Sequence, residues 1–293
     1  MPIEPIGPVV AGVDGSAESF EALDLAADEA AGRVTPLVVV HAYPGHQRVA
    51  VAACAPEWVQ AWDAPRRLLA TAVARVGAEH PGLAVDGELV CGDPAEVLIQ
   101  RSAEACLVVV GHRRGGLRNG VPLGWVAPRV AALAASPVLV HRPLATGAVV
   151  RSPRTVLVAV DGLVGSESLV ELAFTEADLR GASLTALYVW PQPAGSEPAG
   201  IHPDTYSYDD ARDEAERMLA EALAGWSGKY PDVQVHREVR HSLDVVRTIR
   251  DASASAQLLV VGRCRHRRLA RMLLGSVSHA MVQGAGCPVA VIP

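Results

Sequence analysis

The stretch that decides the fold occurs twice: PVVAGVDGSAESFEALDLA at residues 8–26 and TVLVAVDGLVGSESLVELA at residues 155–173. In both, a run of apolar, mostly β-branched residues ends in Val-Asp-Gly, with Asp14 falling on Asp161 without a gap, and a serine-bearing turn then leads into a helical pattern. Further on, CLVVVGHRRGG (106–116) matches QLLVVGRCRHR (257–267), and SPVLVHRP (136–143) matches CPVAVIP (287–293). Self-similarity in the same order over half a chain means two copies of one domain. The offset between copies grows from 147 to 151, so four residues of net insertion fall in the second, within the Pro-, Gly- and Tyr-rich stretch at 191–210. That composition reads as a loop. RPLATGAVVRSPR (142–154) has no sustained period and reads as a linker, which sets the domains at 1–144 and 152–293.

Within the first copy, PVVAGVD, PLVVVHAY, LAVDGELV, CLVVVG and PVLVHR are short, nearly continuous apolar runs. Runs of this kind predict strands buried on both faces, as in a parallel sheet. Helical patterns fill the gaps; Ser16 or Ser19 can cap the first helix, and Asp93-Pro94-Ala95-Glu96 opens the third. The second copy repeats the order with TVLVAVD, SLTALYVW, DVQVHREV, QLLVVG and PVAVIP. Right-handed crossovers between parallel strands then give an α/β fold of two tandem doubly wound, Rossmann-like domains, each with a five-stranded parallel sheet flanked by helices. Ligands of such sheets sit beyond the carboxyl ends of the strands, where strand order reverses. Two segments leave those ends, the Val-Asp-Gly turn and the glycine loop after the fourth strand.

The bulk numbers agree. The 293 residues suit two domains, and half of them are apolar, with only 4% aromatic. A net charge of -6 argues against general nucleic-acid binding and against a membrane-surface role, both of which draw on many basic contacts. No uncharged apolar run of about 18 residues appears, and the N-terminus has no secretory pattern, which predicts a cytoplasmic protein. Five cysteines without a C-x-x-C pair predict buried thiols rather than a disulfide framework or a zinc site. Lys229 is the single lysine, so a Walker-type phosphate loop is excluded.

In the second copy the glycine loop runs GRCRHRRLARMLLGS (262–276). A helix opened by Gly275-Ser276-Val277-Ser278 offers free backbone N–H groups and a positive dipole end to an anion. Ser276 and Ser278 add hydroxyl donors, Gly262 ends the strand tightly, and Arg263 or Arg265 can fork onto phosphate oxygens. The same residues also read as an ordinary helix cap and a solvated basic face, or a docking patch for an acidic partner. In the first copy Gly111 and Gly124 keep the spacing, but Trp125 replaces Ser276, and an indole there fills the space a phosphate would take.

Taken together, the Val-Asp-Gly turn, a loop of form G-x2-G-x9-G-[ST] and the closing C-P-V or S-P-V strand, twice over, resemble the universal stress protein family in its tandem, actinobacterial form. The resemblance implies a five-stranded domain that often pairs through its last strand. In the nucleotide-binding branch it implies ATP between the aspartate turn and the glycine loop, with Mg2+ only as the accompanying ion. Carried over by position, Asp14 and Asp161 face the adenosine, and Gly262, Gly275, Ser276, Val277 and Ser278 hold phosphate in the second copy. Gly111 and Gly124 are what remains in the first. Both copies depart from the pattern at its second glycine, which is Arg114 in one and Arg265 in the other.

The site residues contain no acid and base pair, no G-x-S-x-G elbow and no metal-binding histidine spacing. The sequence therefore predicts a non-enzymatic regulator of stress or dormancy that binds adenine nucleotide, better in the second domain. Its partners are an unidentified protein and a second copy of itself through exposed closing strands. A ligand-free scaffold whose Arg114, Arg265 and Trp125 fill the old sites is the alternative, as is an enzyme acting slowly on adenylates. Asp14 and Asp161 also read as turn residues, and Trp58, Trp62, Tyr206 and Tyr208 as packing over the sheet edge.

Overall fold

The computed structural model describes residues 7–43, 56–112, 117–118, 121–122, 124–142, 155–161, 167–190, 208–263 and 274–293, with side chains except at 56–62, 117–118 and 121–122. The chain divides into two compact units. The first holds β1 (Val9–Gly12), α1 (Ala17–Arg33), β2 (Leu37–Tyr43), α2 (Pro56–Glu79), β3 (Val85–Cys91), α3 (Pro94–Arg101) and β4 (Leu107–Gly111). A small hairpin of β5 (Leu117–Arg118) and β6 (Val121–Pro122), then α4 (Val126–Leu133) and β7 (Val138–His141), complete it. The second holds β8 (Thr155–Val160), α5 (Glu167–Leu179), β9 (Ser183–Trp190), α6 (Tyr208–Ala222), α7 (Trp226–Lys229) and β10 (Val235–His241). It ends with α8 (Val245–Ser253), β11 (Leu258–Gly262), α9 (Ser276–Gly284) and β12 (Val289–Ile292).

Within the first unit the strands are parallel in the order β7-β4-β1-β2-β3, and within the second they repeat it as β12-β11-β8-β9-β10. Because the chain winds to one side of the first strand and then to the other, the order reverses between β1 and β4 and between β8 and β11. The doubly wound tandem architecture expected from the repeat is the one observed. The central strands are the apolar heart: Leu258, Leu259, Val260 and Val261 of β11 are all at most 2% exposed. Each such side chain stabilises the fold by about 1.5–3 kcal/mol, an upper bound against a compact unfolded chain.

Two expected strands depart from burial on both faces. β3 and β10 carry only half-buried and exposed residues, with none fully buried, because each lies at the end of its strand order and packs against α2 or α6. Their polar residues, Asp86 and Glu88 in one and His236, Arg237 and Arg240 in the other, suit such a place and discourage pairing with a further strand.

The helices begin as their sequences dictate. Ser16 caps α1, its Oγ accepting from Ser19 N–H at 3.2 Å, and Asp93 caps α3, accepting from Ala95 and Glu96 N–H at 3.1 Å each. The end of α1 differs between copies. Val34 stands at φ 55, a left-handed conformation that a β-branched residue adopts only under strain, whereas the aligned Gly181 takes the same φ without cost. Near the same helix ends, buried Glu29 pairs with Arg33 and buried Glu176 with Arg180 at i,i+4, one pair per copy.

Candidate functional site

In the second unit, β8 and β11 end side by side where strand order reverses, and the described candidate residues lie on or next to β8, β11 and α9. β11 ends at Gly262, which is half-buried, and no described atom lies within 4 Å of where a Cβ would project. Gly275 is the N-cap of α9 at φ -59, ψ 157; no side chain caps this helix, and its first turn contains no acidic residue. Ser276 is exposed, so the first N–H groups of α9 begin at the surface with the dipole's positive end toward solvent. Ser278 is placed differently from expectation. It is 3% exposed, and its hydroxyl donates to the Gly262 carbonyl at 2.6 Å. The donor expected for phosphate instead ties the helix to the strand end, so Ser278 shapes the seat and its hydroxyl hydrogen is committed elsewhere.

Arg263 follows directly. Its backbone N–H donates to Ile292 O at 2.7 Å, fixing the end of β11 against β12. Burial pushes its guanidinium below the ordinary arginine range. Asp161, exposed at the end of β8, acts on Tyr188: burial first and then the Asp161 carboxylate raise that phenol above its usual value. Tyr188 sits opposite Val160 in the β8–β9 register, so an aromatic side chain flanks the aspartate turn. Sequence patterns alone did not single Tyr188 out; the signal was its alignment with His41 of the first copy, whose Nδ1 lies 2.8 Å from Val13 O in the corresponding turn.

In the first unit the same place is occupied by the protein's own groups. The Asp14 carboxylate accepts from Ser16 N–H at 2.9 Å and from Ser16 Oγ at 2.5 Å, which is the turn role. The aligned residue in the second copy, Leu163, has no hydroxyl to offer. A Cβ on Gly111 would meet the backbone of Glu18 and Ser19 at 2.6–3.2 Å, so that glycine is needed for α1 to approach. Gly124 stands at φ 86, and Trp125 takes the N-cap position of α4 without a side-chain cap. The Arg129 guanidinium lies 5.3 Å from the centre of the Trp125 ring and pairs with Asp93 at 3.1 Å and Glu96 at 2.9 Å. An anion arriving here meets two carboxylates and an indole. The sequence showed Trp125 but not this cluster, which joins residues 36 and 33 positions apart.

Arg114 and Arg265, the two departures from the glycine pattern, lie outside the described residues, as does Tyr206; so do the side chains of Trp58 and Trp62. Tyr208 packs on Trp190 and His241, as the packing reading had it. The thiols are less uniformly buried than expected: Cys287 is buried, Cys106 half-buried and Cys91 exposed. Among the described residues no cluster of three His, Cys, Asp or Glu could hold a metal ion, and no helix is long and apolar enough to cross a membrane.

A tandem doubly wound chain with a glycine shortly before the helix at each switch point is the class that fold and site define. The universal stress protein family model matches residues 5–142 and again 153–293, and the chain belongs to that family. A universal stress protein of Mycobacterium tuberculosis is 39% identical to it, covering 97% of this chain and 96% of the relative. Among solved structures, a universal stress protein of Archaeoglobus fulgidus superposes with a TM-score of 0.68 at 19% identity, covering 97% of both chains. A universal stress protein solved in complex with cAMP is 29% identical over 46% of this chain, with a TM-score of 0.37.

Proposed function

We propose that this universal stress protein is a nucleotide-responsive regulator in which the second domain, 152–293, seats an adenine nucleotide, and the first, 1–144, carries a filled form of the same seat. The observation that supports this most is the start of α9: a glycine N-cap, no side-chain cap and no carboxylate in the first turn. Phosphate oxygens would accept from the N–H groups of Ser276 and Val277 beside Gly262 and Gly275. Arg263 would add charge, with Arg265 assigned by sequence alone, while Asp161 faces the nucleoside. ATP is the first candidate ligand, with Mg2+ arriving on its phosphates. Binding acts by favouring one conformation or partner over another. A role without turnover belongs to the same proposal.

A ligand-free scaffold is the reading the first unit favours, since Trp125, Arg129, Asp93 and Glu96 satisfy one another there. A homodimer, an unidentified protein partner and a cytoplasmic location belong to the same proposal; the first two rest on the family's habit of pairing, and light scattering of the purified chain tests the dimer. The decisive experiment is a thermal melt of the full chain with ATP and magnesium. Stabilisation should rise with ligand concentration and reach about 2.7 kcal/mol at a hundred times Kd. A flat melting temperature up to millimolar ATP overturns the nucleotide reading. Steady release of phosphate, lost in Ser276→Ala, would overturn the non-enzymatic part.

A further inference from the structure

Away from the α9 seat, the two units differ in the charge of one aligned face. In the first, a Cβ on Gly87 would meet Val73 and Leu69 of α2, whereas Glu88, the next residue of β3, pairs with Arg101 of α3 at 2.8 Å. Successive strand residues point to opposite faces, so Asp86 and Glu88 share the α3 side. The same alternation along β10 puts His236, Glu238 and Arg240 together on the α8 side, where Arg240 pairs with Glu238 at 2.5 Å. β3 aligns with β10 at an offset of 150 and α3 with α8 at 151.

Along that face the second copy gains positive charge. Asp86 becomes His236 and Val90 becomes Arg240, while in the helix Glu96 becomes Arg247, Ile99 becomes Arg250 and Glu104 becomes Ser255. Gln100 to Asp251 and Arg101 to Ala252 run the other way. From residue 86 to 104, five carboxylates stand against one arginine; from 236 to 255, four arginines and two histidines stand against three carboxylates. The charges are at the surface. Arg247 is 77% exposed with Asp251 at 3.7 Å, and Arg250 is exposed with its guanidinium over Gly284 at the end of α9. Asp86, Glu96 and Glu104 are exposed in the first unit. Both faces are built from the same strand and helix, so they match in extent and oppose in sign, and the acidic partner that the basic face calls for is carried by every copy of this chain. We propose that the α8 face of the second unit docks on the α3 face of the first unit of another copy. The contact is heterologous, made by side chains rather than by strand pairing, and independent of nucleotide at α9. Opposite charge speeds the encounter and fixes the partner, while each face repels its own like.

Sedimentation of the full chain over a concentration series tests this. Mass should rise with concentration, and the association should weaken roughly 10-fold between about 50 and about 500 mM salt. Arg247→Glu with Arg250→Glu makes both faces acidic and should weaken it roughly 100-fold, and Arg247→Glu alone roughly 10-fold. Asp86→Arg, Glu96→Arg and Glu104→Arg together make both faces basic and should weaken it as much as the double change. Mixing the acidic and the basic variant should restore association, because each then meets a face of opposite sign. Mass independent of concentration, association unchanged in either variant, or a mixture no heavier than its parts overturns the proposal. A dimer through closing strands would persist in both variants and in high salt, which keeps that contact apart from this one. Should the triple variant fail to fold, the salt series and the two arginine variants decide by themselves.

Discussion

The start of α4 and the start of α9 are the same position in two copies of one domain, and they are built to opposite ends. At α9 a glycine in extended conformation leads into an uncapped helix whose first turn carries no carboxylate. At α4 the glycine is left-handed, an indole takes the next position, and Arg129 holds Asp93 and Glu96 beside it. Duplication keeps the scaffold because every strand register depends on it. The loop ends are under no such constraint, so one copy can lose its seat while the other keeps it. The tandem chain thus holds two differently built starts of the same helix.

The sharpest way to break this contrast is charge at the two glycines. Gly275→Glu should weaken ATP binding roughly 10-fold or more, because a carboxylate would meet phosphate oxygens at close range. Gly124→Glu should leave ATP affinity unchanged but lower stability by about 1 kcal/mol, since φ 86 suits glycine alone. Isothermal titration reads the first and urea unfolding the second; equal loss of binding from both would abolish the distinction between copies.

The buried pairs should behave alike in both copies. Arg33→Ala and Arg180→Ala each remove the guanidinium that pairs with a buried glutamate and should each cost about 3 kcal/mol in urea unfolding. A large effect in one copy only would show that the pairs do different work. The helix ends should not behave alike. Val34→Gly should stabilise the first unit by about 1 kcal/mol by relieving left-handed strain, and Gly181→Val should cost the second a similar amount.

The smallest effect is a pH dependence confined to the first unit. Burial holds the His141 imidazole below its ordinary value of 6.5, although Glu21 and Asp24 pull it upward. The unfolded chain therefore takes up protons that the folded unit does not. The stability contributed is present above about pH 6.5 and falls as pH drops from there toward the lowered folded value. Hydrogen exchange at β7 should report this loss, and His141→Gln should remove it. The second unit, with Ile292 at the aligned position, should show no such term.

Much of this was legible in the residues. The double Val-Asp-Gly turn, the apolar strand runs and the Ser16 and Asp93 caps are each written within a few consecutive positions, and the structure forms them there. Trp125 already marked the first copy as altered. The donor at Ser278 was misread because its acceptor, Gly262 O, lies 16 residues away, a distance over which a glycine loop leaves the geometry open. β3 and β10 were read as doubly buried because an edge strand and a central one share the same apolar residues until their neighbours are counted.

By itself, then, the sequence determined the repeat, the parallel α/β class, the family and the helix that begins at Gly275, because periodicity, caps and motif spacing act through contacts a few residues apart. Only the tertiary structure decided what surrounds each of those positions. It set Arg129 over Trp125, gave the Ser278 hydroxyl to the strand end and buried the Glu29–Arg33 and Glu176–Arg180 pairs. Each of these depends on burial or on groups distant in the chain meeting at fixed distance and angle, and those are fixed only when the sheet register is complete.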